Sequence, residues 1–290
     1  MSLRTLDYIA PESAADAVAL LAEHGESARA LAGGTDLVVD LKHSPGNIHI
    51  LVDVSGLEEF RGIEETDEGL RIGSMATYAE IMENSICLEK VPEVVAASHT
   101  VGAVQTRNLG TIGGNLVTCV PSADSAPALM VLDAEVTVTG TDGERRMPIE
   151  EFFVGPRKTI LEPHELLVDI LIPKKNLGKP SSFYKFGLRK GQALALVNVA
   201  AALELKSGKI HEPRIALGAV APTPIRILKA EELLSGKKPS KKNIEEAARI
   251  AVTASKPIDD FRASASYRRQ LIQTLTQRVL TRSLEIATAS

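Results

Sequence analysis

Two alternations of sequence pattern predict an α+β fold in two domains. Over roughly the first 173 residues short apolar strands and amphipathic helices interleave, and beyond a polar break three strands are followed by three helices, an order that separates strands from helices. A chain of 290 residues with 44% hydrophobic content has enough apolar material for two ordinary cores. The stretch KKNLGKPSS at 174–182 is polar and charged and carries both Gly and Pro, so it predicts a boundary between a domain over 1–176 and one over 182–290.

Taken in order, residues 13–24 (SAADAVALLAEH) place apolar side chains at 14, 17, 18, 20 and 21. Ser13 is suited to cap the start and Gly25 stands just past the end, so the segment predicts an amphipathic helix. An apolar run at 28–32 meets Gly33-Gly34-Thr35, and DLVVDLKH follows, which predicts a strand, a tight loop and a helix start. Strands are expected at 48–54 and 70–73, helices at 78–84 and 92–100, and a second glycine-rich turn at 111–115. EVTVTGTDGERRMP alternates around Asp142-Gly143, the pattern of a hairpin with a two-residue turn. LLVDILIP at 166–173 is a strand that Pro173 stops. Strands at 182–188, 195–205 and 214–220 then precede helices at 227–234, 241–254 and 267–287.

Composition excludes several classes of function. The 33 basic residues are dispersed among 37 acidic ones, so no global field draws the chain to nucleic acid or to an anionic membrane. The lysines at 237, 238, 241 and 242 read as a solvated loop and helix start. With no Trp and 3% aromatic content there is little material for base stacking. Cys87 and Cys119 stand apart, which argues against a disulfide framework and against an iron–sulfur cluster held by this chain. His24, His43, His49, His99, His164 and His211 form no ligand spacing, so no metal site is expected. The N-terminal residues lack a signal-peptide pattern and no run approaches a membrane span, so the expected location is the cytoplasm.

The chemistry-bearing features are the two Gly-Gly pairs, Gly33-Gly34 and Gly113-Gly114, each after an apolar segment and before a small polar residue. Paired glycines let the backbone approach a ligand closely, so that successive amides can converge on a diphosphate. Neither pair fits GxGxxG or GxxxxGK[ST], which removes the sequence support for a Rossmann nicotinamide site or a P-loop. A tight turn with no ligand remains the alternative for either pair alone.

AGGTDL at 32–37 and RNLGTIGGN at 107–115 resemble the two flavin-binding loops of the medium, FAD-binding subunits of molybdenum hydroxylases, a group that includes carbon monoxide, xanthine and nicotinate dehydrogenases. Further family-like pieces lie in order: Asp124 nine positions after Asn115, LLVDILIP, FYKFGLRKG at 183–191 and DDFRASASYRR at 259–269. The resemblance spans essentially the whole chain. It implies a p-cresol methylhydroxylase-type FAD domain of two α+β subdomains, followed by a small C-terminal α+β domain with a three-stranded antiparallel sheet and helices. It further implies that Leu31, Ala32, Gly33, Gly34, Thr35, Asp36 and Leu37, with Thr111, Gly113, Gly114 and Asn115, wrap the FAD diphosphate, mostly through backbone amides. Asp124 matches a residue on the adenosine side of FAD, Val101 and Leu167 match apolar residues packed on the cofactor, and Lys185 matches a basic residue near the flavin ring.

The residues themselves leave other roles open: Asp124 as a helix cap, Lys185 as a solvated strand residue, Val101 and Leu167 as general core. The resemblance also implies partners, a molybdopterin-binding large subunit and a small subunit with two-iron, two-sulfur clusters, in a dimer of heterotrimers. No catalytic acid–base pair is expected, because the implied task is passing electrons through FAD to a terminal acceptor. Two departures stand out: the short run 119–130 after the second loop supplies only one cysteine, Cys119, where a four-iron, four-sulfur insertion requires extra ones, and GQALALV at 191–197 lacks the aromatic residue that some relatives place over the flavin. A stand-alone flavin oxidase and a scaffold without FAD are the competing readings.

Overall fold

The computed structural model describes residues 5–44 and 46–289; residues 1–4, 45 and 290, which fall within the two expected domains, lie outside the described residues. Three parallel strands come first, β1 (Asp7–Ile9), β2 (Ala28–Leu31) and β3 (Ile50–Asp53), in the order β1-β3-β2. A five-stranded antiparallel sheet follows, formed by β4 (Ile63–Glu65), β5 (Gly69–Gly73), β6 (Glu135–Gly140), β7 (Gly143–Pro148) and β10 (Leu166–Pro173) in the order β4-β5-β10-β6-β7. β8 (Phe153–Gly155) and β9 (Lys158–Thr159) form a small hairpin between them. The last sheet is antiparallel, β11 (Ser181–Gly187), β12 (Ala195–Lys206) and β13 (Lys209–Gly218), with the two-residue β14 (Ile225–Arg226) added at its edge.

The central strand of each antiparallel sheet explains its own composition. β10 and β12 are hydrogen-bonded on both sides, and their apolar runs are buried. Each carries one conspicuous polar residue. Asp169 in β10 is met by Arg71 at 2.9 Å, beside a bulge in the pairing with β6. Asn198 in β12 is fully buried and reaches toward the first domain.

Helix Ala14–His24 is capped by Ser13, whose hydroxyl accepts from Asp16 N, as the spacing predicts. It buries Ala17, Val18 and Leu21 in a core beneath the parallel sheet. Helices Ala265–Ala289 and Leu228–Leu234 cover the last sheet, whose core gathers Leu196, Val199, Leu217, Ile272, Leu275 and Val279, and helix Lys241–Ala254 packs on those two helices. Arg226 binds the two halves together, pairing with Asp133 and Glu150 at 3.0 Å from one side and with Glu231 at 2.8 Å from the other. Among the described residues no helix is long and apolar enough to cross a membrane.

Three expectations need correction. The 111–115 segment is not a turn: Thr111 caps a helix, Ile112–Thr118, that contains both glycines in its first turn. Its hydroxyl accepts from Gly114 N at 3.0 Å, which offsets the poor helix propensity of the pair. The hairpin pairs Gly140 with Gly143, so its turn is Thr141-Asp142 and the glycine opens the return strand. β13 begins at Lys209 rather than at 214, because Lys209, Ile210 and His211 already pair with Lys206, Leu205 and Glu204 of β12 before a shift of register.

Candidate functional site

A cavity of about 570 Å³ opens where the parallel sheet, the five-stranded sheet and the start of the last sheet meet. That volume lies in the range of cofactor clefts, roughly 300–1,000 Å³. Of the residues singled out in the sequence, Ala32, Gly33, Gly34, Thr35, Asp36, Leu37, Val101, Thr111, Gly113, Gly114, Asn115, Asp124 and Leu167 line it. Leu31 and Lys185 do not. Leu31 ends β2 and supports the loop from beneath, its Cδ1 lying 3.2 Å from where a Cβ on Gly34 would stand.

The first loop leaves β2 at Ala32 and enters helix Leu37–His43. Gly34 adopts φ +67°, and a Cβ on Gly33 would overlap the Leu109 carbonyl oxygen, so the sequence needs glycine here for the two loops to touch. Among the described residues the amides of Gly33, Gly34, Thr35 and Asp36 donate to no other protein group. Four successive cavity-lining donors without partners form a surface that an anion can satisfy.

The second loop behaves differently. Ile112 N donates to Ala76 O, Gly113 N to Ser74 O at 2.9 Å, Gly114 N to Thr111 Oγ1 and Asn115 N to Thr111 O. A Cβ on Gly113 would lie 2.5 Å from Ser74 Cβ, so this glycine admits the chain before it admits any ligand. Thr111 faces Thr77 across an antiparallel bridge whose bonds are made by the neighbouring residues, which turns the Thr111 N–H away from that partner. Asn115 Oδ1 accepts from Ser125 Oγ at 3.0 Å, so the Tyr78 hydroxyl, 3.2 Å from Ser125, is the donor to that serine. This relay holds Asn115 at the cavity wall.

The far wall is built by a buried ion pair. Asp124 Oδ2 accepts from Lys185 Nζ at 2.5 Å, and Oδ1 accepts from Asn198 Nδ2 at 3.0 Å. Lys185 Nζ also donates to the Thr100 carbonyl at 2.9 Å. Burial pushes the Asp124 carboxyl up to about 6, against the opposing pull of Lys185. Asp124 stands at the start of helix Ser125–Met130 but makes no side-chain cap bond, so the capping alternative does not describe it. The resemblance assigns Asp124 and Lys185 to opposite ends of the cofactor, whereas the fold joins them in a single contact.

The cationic side chains lining the cavity are Arg29 and Arg157, and Arg157 pairs with Asp40 at 2.8 Å. Neutral amides, together with Arg29, are therefore the donors available to a diphosphate. The donor set fits FAD: a run of unengaged amides for its phosphates, apolar walls at Val101 and Leu167, and a carboxylate acceptor at Asp124. Tyr78, Ser125, Asn198 and the Thr100 carbonyl were not legible as site residues, because their partners lie far away in sequence and no local motif marks them.

Fold and cavity define a flavoprotein subunit, and comparison places it. Residues 4–175 match the model of the FAD binding domain in molybdopterin dehydrogenase, and residues 182–283 match the CO dehydrogenase flavoprotein C-terminal domain. The chain belongs to this family of FAD-binding subunits of molybdenum hydroxylases, and FAD is its cofactor. It is 35% identical to the xanthine dehydrogenase FAD-binding subunit of Escherichia coli O157:H7, over 94% of each chain. Identity is 30% to the carbon monoxide dehydrogenase medium chain of Hydrogenophaga pseudoflava, over 94% of this chain and 95% of that one. Among solved structures, carbon monoxide dehydrogenase from H. pseudoflava superposes with a TM-score of 0.95 at 30% identity, covering 99% of both chains. Quinoline 2-oxidoreductase from Pseudomonas putida 86 gives 0.92 at 29% identity, covering 99% of this chain and 100% of the other.

Proposed function

We propose that this chain is the electron-exit subunit of a three-chain oxidoreductase, assembled with a molybdopterin-binding large subunit and a small subunit bearing two-iron, two-sulfur clusters. Bound FAD supplies the step from single-electron to paired-electron transfer, on the way from the clusters to a terminal acceptor. The chain's own part is to bind and orient. Leu31 to Leu37 form the diphosphate-facing loop, with Gly33 to Asp36 as its donors, while Thr111 and Gly113 to Asn115 brace that loop from below. Val101 and Leu167 give the cofactor apolar walls, Asp124 offers a carboxylate, and Lys185 holds that carboxylate in place.

In this reading 1–176 is the FAD domain and 182–290 the C-terminal domain, which supplies the Lys185 side of the wall. The complex is a dimer of heterotrimers working in the cytoplasm, the closed two-fold arrangement being the commonest for such assemblies. The observation that carries the proposal is the run of unengaged amides at 33–36 opening on a cofactor-sized cavity. Rapid mixing tests it. With a panel of the substrates after which the relatives are named, the assembled complex is expected to bleach the flavin absorbance, while the isolated FAD-loaded chain stays oxidised. Bleaching of the isolated chain by any of them would make it a stand-alone oxidase instead.

A further inference from the structure

The Asp124–Lys185 pair has a third member that no sequence motif marks. Asn198 is fully buried in the middle of the apolar strand β12, directly across from Lys185 in β11 and from Gly218 in β13. Its Nδ2 donates to Asp124 Oδ1 at 3.0 Å and to the Ala123 carbonyl at 3.3 Å. Burying an amide at the centre of such a strand is costly unless it is hydrogen-bonded, and here the two Nδ2 bonds offset the cost while Oδ1 has no partner among the described residues. The sequence also makes room for it. A Cβ on Gly218 would overlap Asn198 Oδ1, and Pro127 would crowd it at 3.2 Å, so the cross-strand glycine leaves the space that the amide occupies.

We propose that Asn198 is a positioning residue, which together with Lys185 keeps the Asp124 carboxylate charged and turned into the cavity as an acceptor for the cofactor's N–H or O–H donors. The proposal rests on the reading of Asp124 as a cofactor contact. Lys185 takes one carboxylate oxygen and Asn198 the other, so the plane of the carboxylate is set from two adjacent strands of one sheet. The first-domain residue is thereby aligned by the C-terminal sheet, which ties cofactor orientation to the domain junction.

The charged and titratable groups facing Asp124 are Lys185 from β11 and the Tyr78 hydroxyl from helix Tyr78–Glu83. Burial holds Tyr78 above its ordinary value, so it stays neutral across the useful range. The ionised Asp124 is the stronger acceptor, so FAD affinity in the parent falls as pH drops through about 6. Removing the Asn198 donor favours the protonated acid, and the fall then begins at a higher pH.

The test is a titration of the full chain, stripped of FAD and reloaded, over a range of pH, with melting curves to check folding. Asn198→Ala is expected to move the midpoint of the affinity profile upward by about one pH unit, the size of effect expected for one lost hydrogen bond to a charge. Gly218→Ala, which displaces the amide without deleting it, is expected to move the midpoint the same way, and serves if Asn198→Ala does not fold. Asp124→Asn is expected to abolish the pH dependence. If Asp124→Asn leaves affinity and profile unchanged, the reading of Asp124 falls and the proposal falls with it. If Asp124→Asn flattens the profile but neither Asn198→Ala nor Gly218→Ala shifts it, the positioning role alone is overturned.

Discussion

Where β2 ends, the chain runs through Gly33-Gly34 with four successive amides unengaged among the described residues, whereas at Gly113-Gly114 every amide from Ile112 to Asn115 donates inside the protein. The two pairs are near twins in sequence. A glycine pair signals that backbone must come close to something, and here the second pair comes close to Ser74 while the first presents donors to the cavity. One loop contacts the ligand and the other is the floor on which it rests. The close contact between Gly33 and the Leu109 carbonyl is where floor and loop meet.

The largest effect is expected from Gly33→Ala. The added methyl would overlap backbone rather than a movable side chain, so the first loop has to lift off the second. FAD affinity should fall by about 100-fold or more, equivalent to roughly 3 kcal/mol, as read by flavin fluorescence titration. Gly114→Ala meets chiefly the Thr111 hydroxyl at 2.8 Å, which can rotate, and should lose no more than about tenfold. Equal losses for the two variants would erase the distinction between ligand loop and floor.

The same contrast between engaged and unengaged groups separates two buried carboxyls, and gives the next effect. Asp124 has Lys185 and Asn198 as close partners, while among the described residues Glu93 has only the weak opposing pull of the nearby Ser181 hydroxyl, and burial pushes its carboxyl up from 4.5 to about 7. A raised value means the folded chain holds the proton more tightly than the unfolded chain. The associated stability is complete below the ordinary glutamate range and is lost as pH rises toward 7. Glu93→Gln should therefore stabilise the protein at pH 8 by up to ~3 kcal/mol relative to its effect at pH 4, measured by urea unfolding. An unchanged pH profile would mean that Glu93 is ionised and solvated after all.

The smallest effect concerns the floor itself. Thr111→Ala deletes the cap that serves Gly114 N and should cost about 1 kcal/mol of folding stability, with FAD affinity changed by no more than about threefold. A loss of affinity larger than the loss of stability would move Thr111 from the floor to the ligand side.

Local pattern carried far in this chain where burial and periodicity coincide. LLVDILIP reads as a strand because it is a fully covered central one, and 241–254 reads as a helix because its amphipathic period is uninterrupted. The helix at Ile112–Thr118 is hidden because two glycines imitate a turn while a single capping threonine reverses the outcome. The two glycine loops of the cavity wall were legible in the sequence, yet the engagement of each amide was not. Gly113 N is satisfied by Ser74 and Asp124 by Lys185, and those partners are set by sheet packing across tens of residues. Asn198 interrupts the apolar run of β12, but nothing local marks it as a site residue or says which carboxylate it meets.

Residue-resolved amide hydrogen exchange, with and without FAD, puts the division of labour between the two loops to the most direct test. The account predicts that Gly33 to Asp36 exchange rapidly in the FAD-free chain and become strongly protected on FAD binding. Gly113 to Asn115 should be protected in both states, because their partners belong to the protein. Strong new protection at 113–115 with none at 33–36 would reverse the assignment and contradict it.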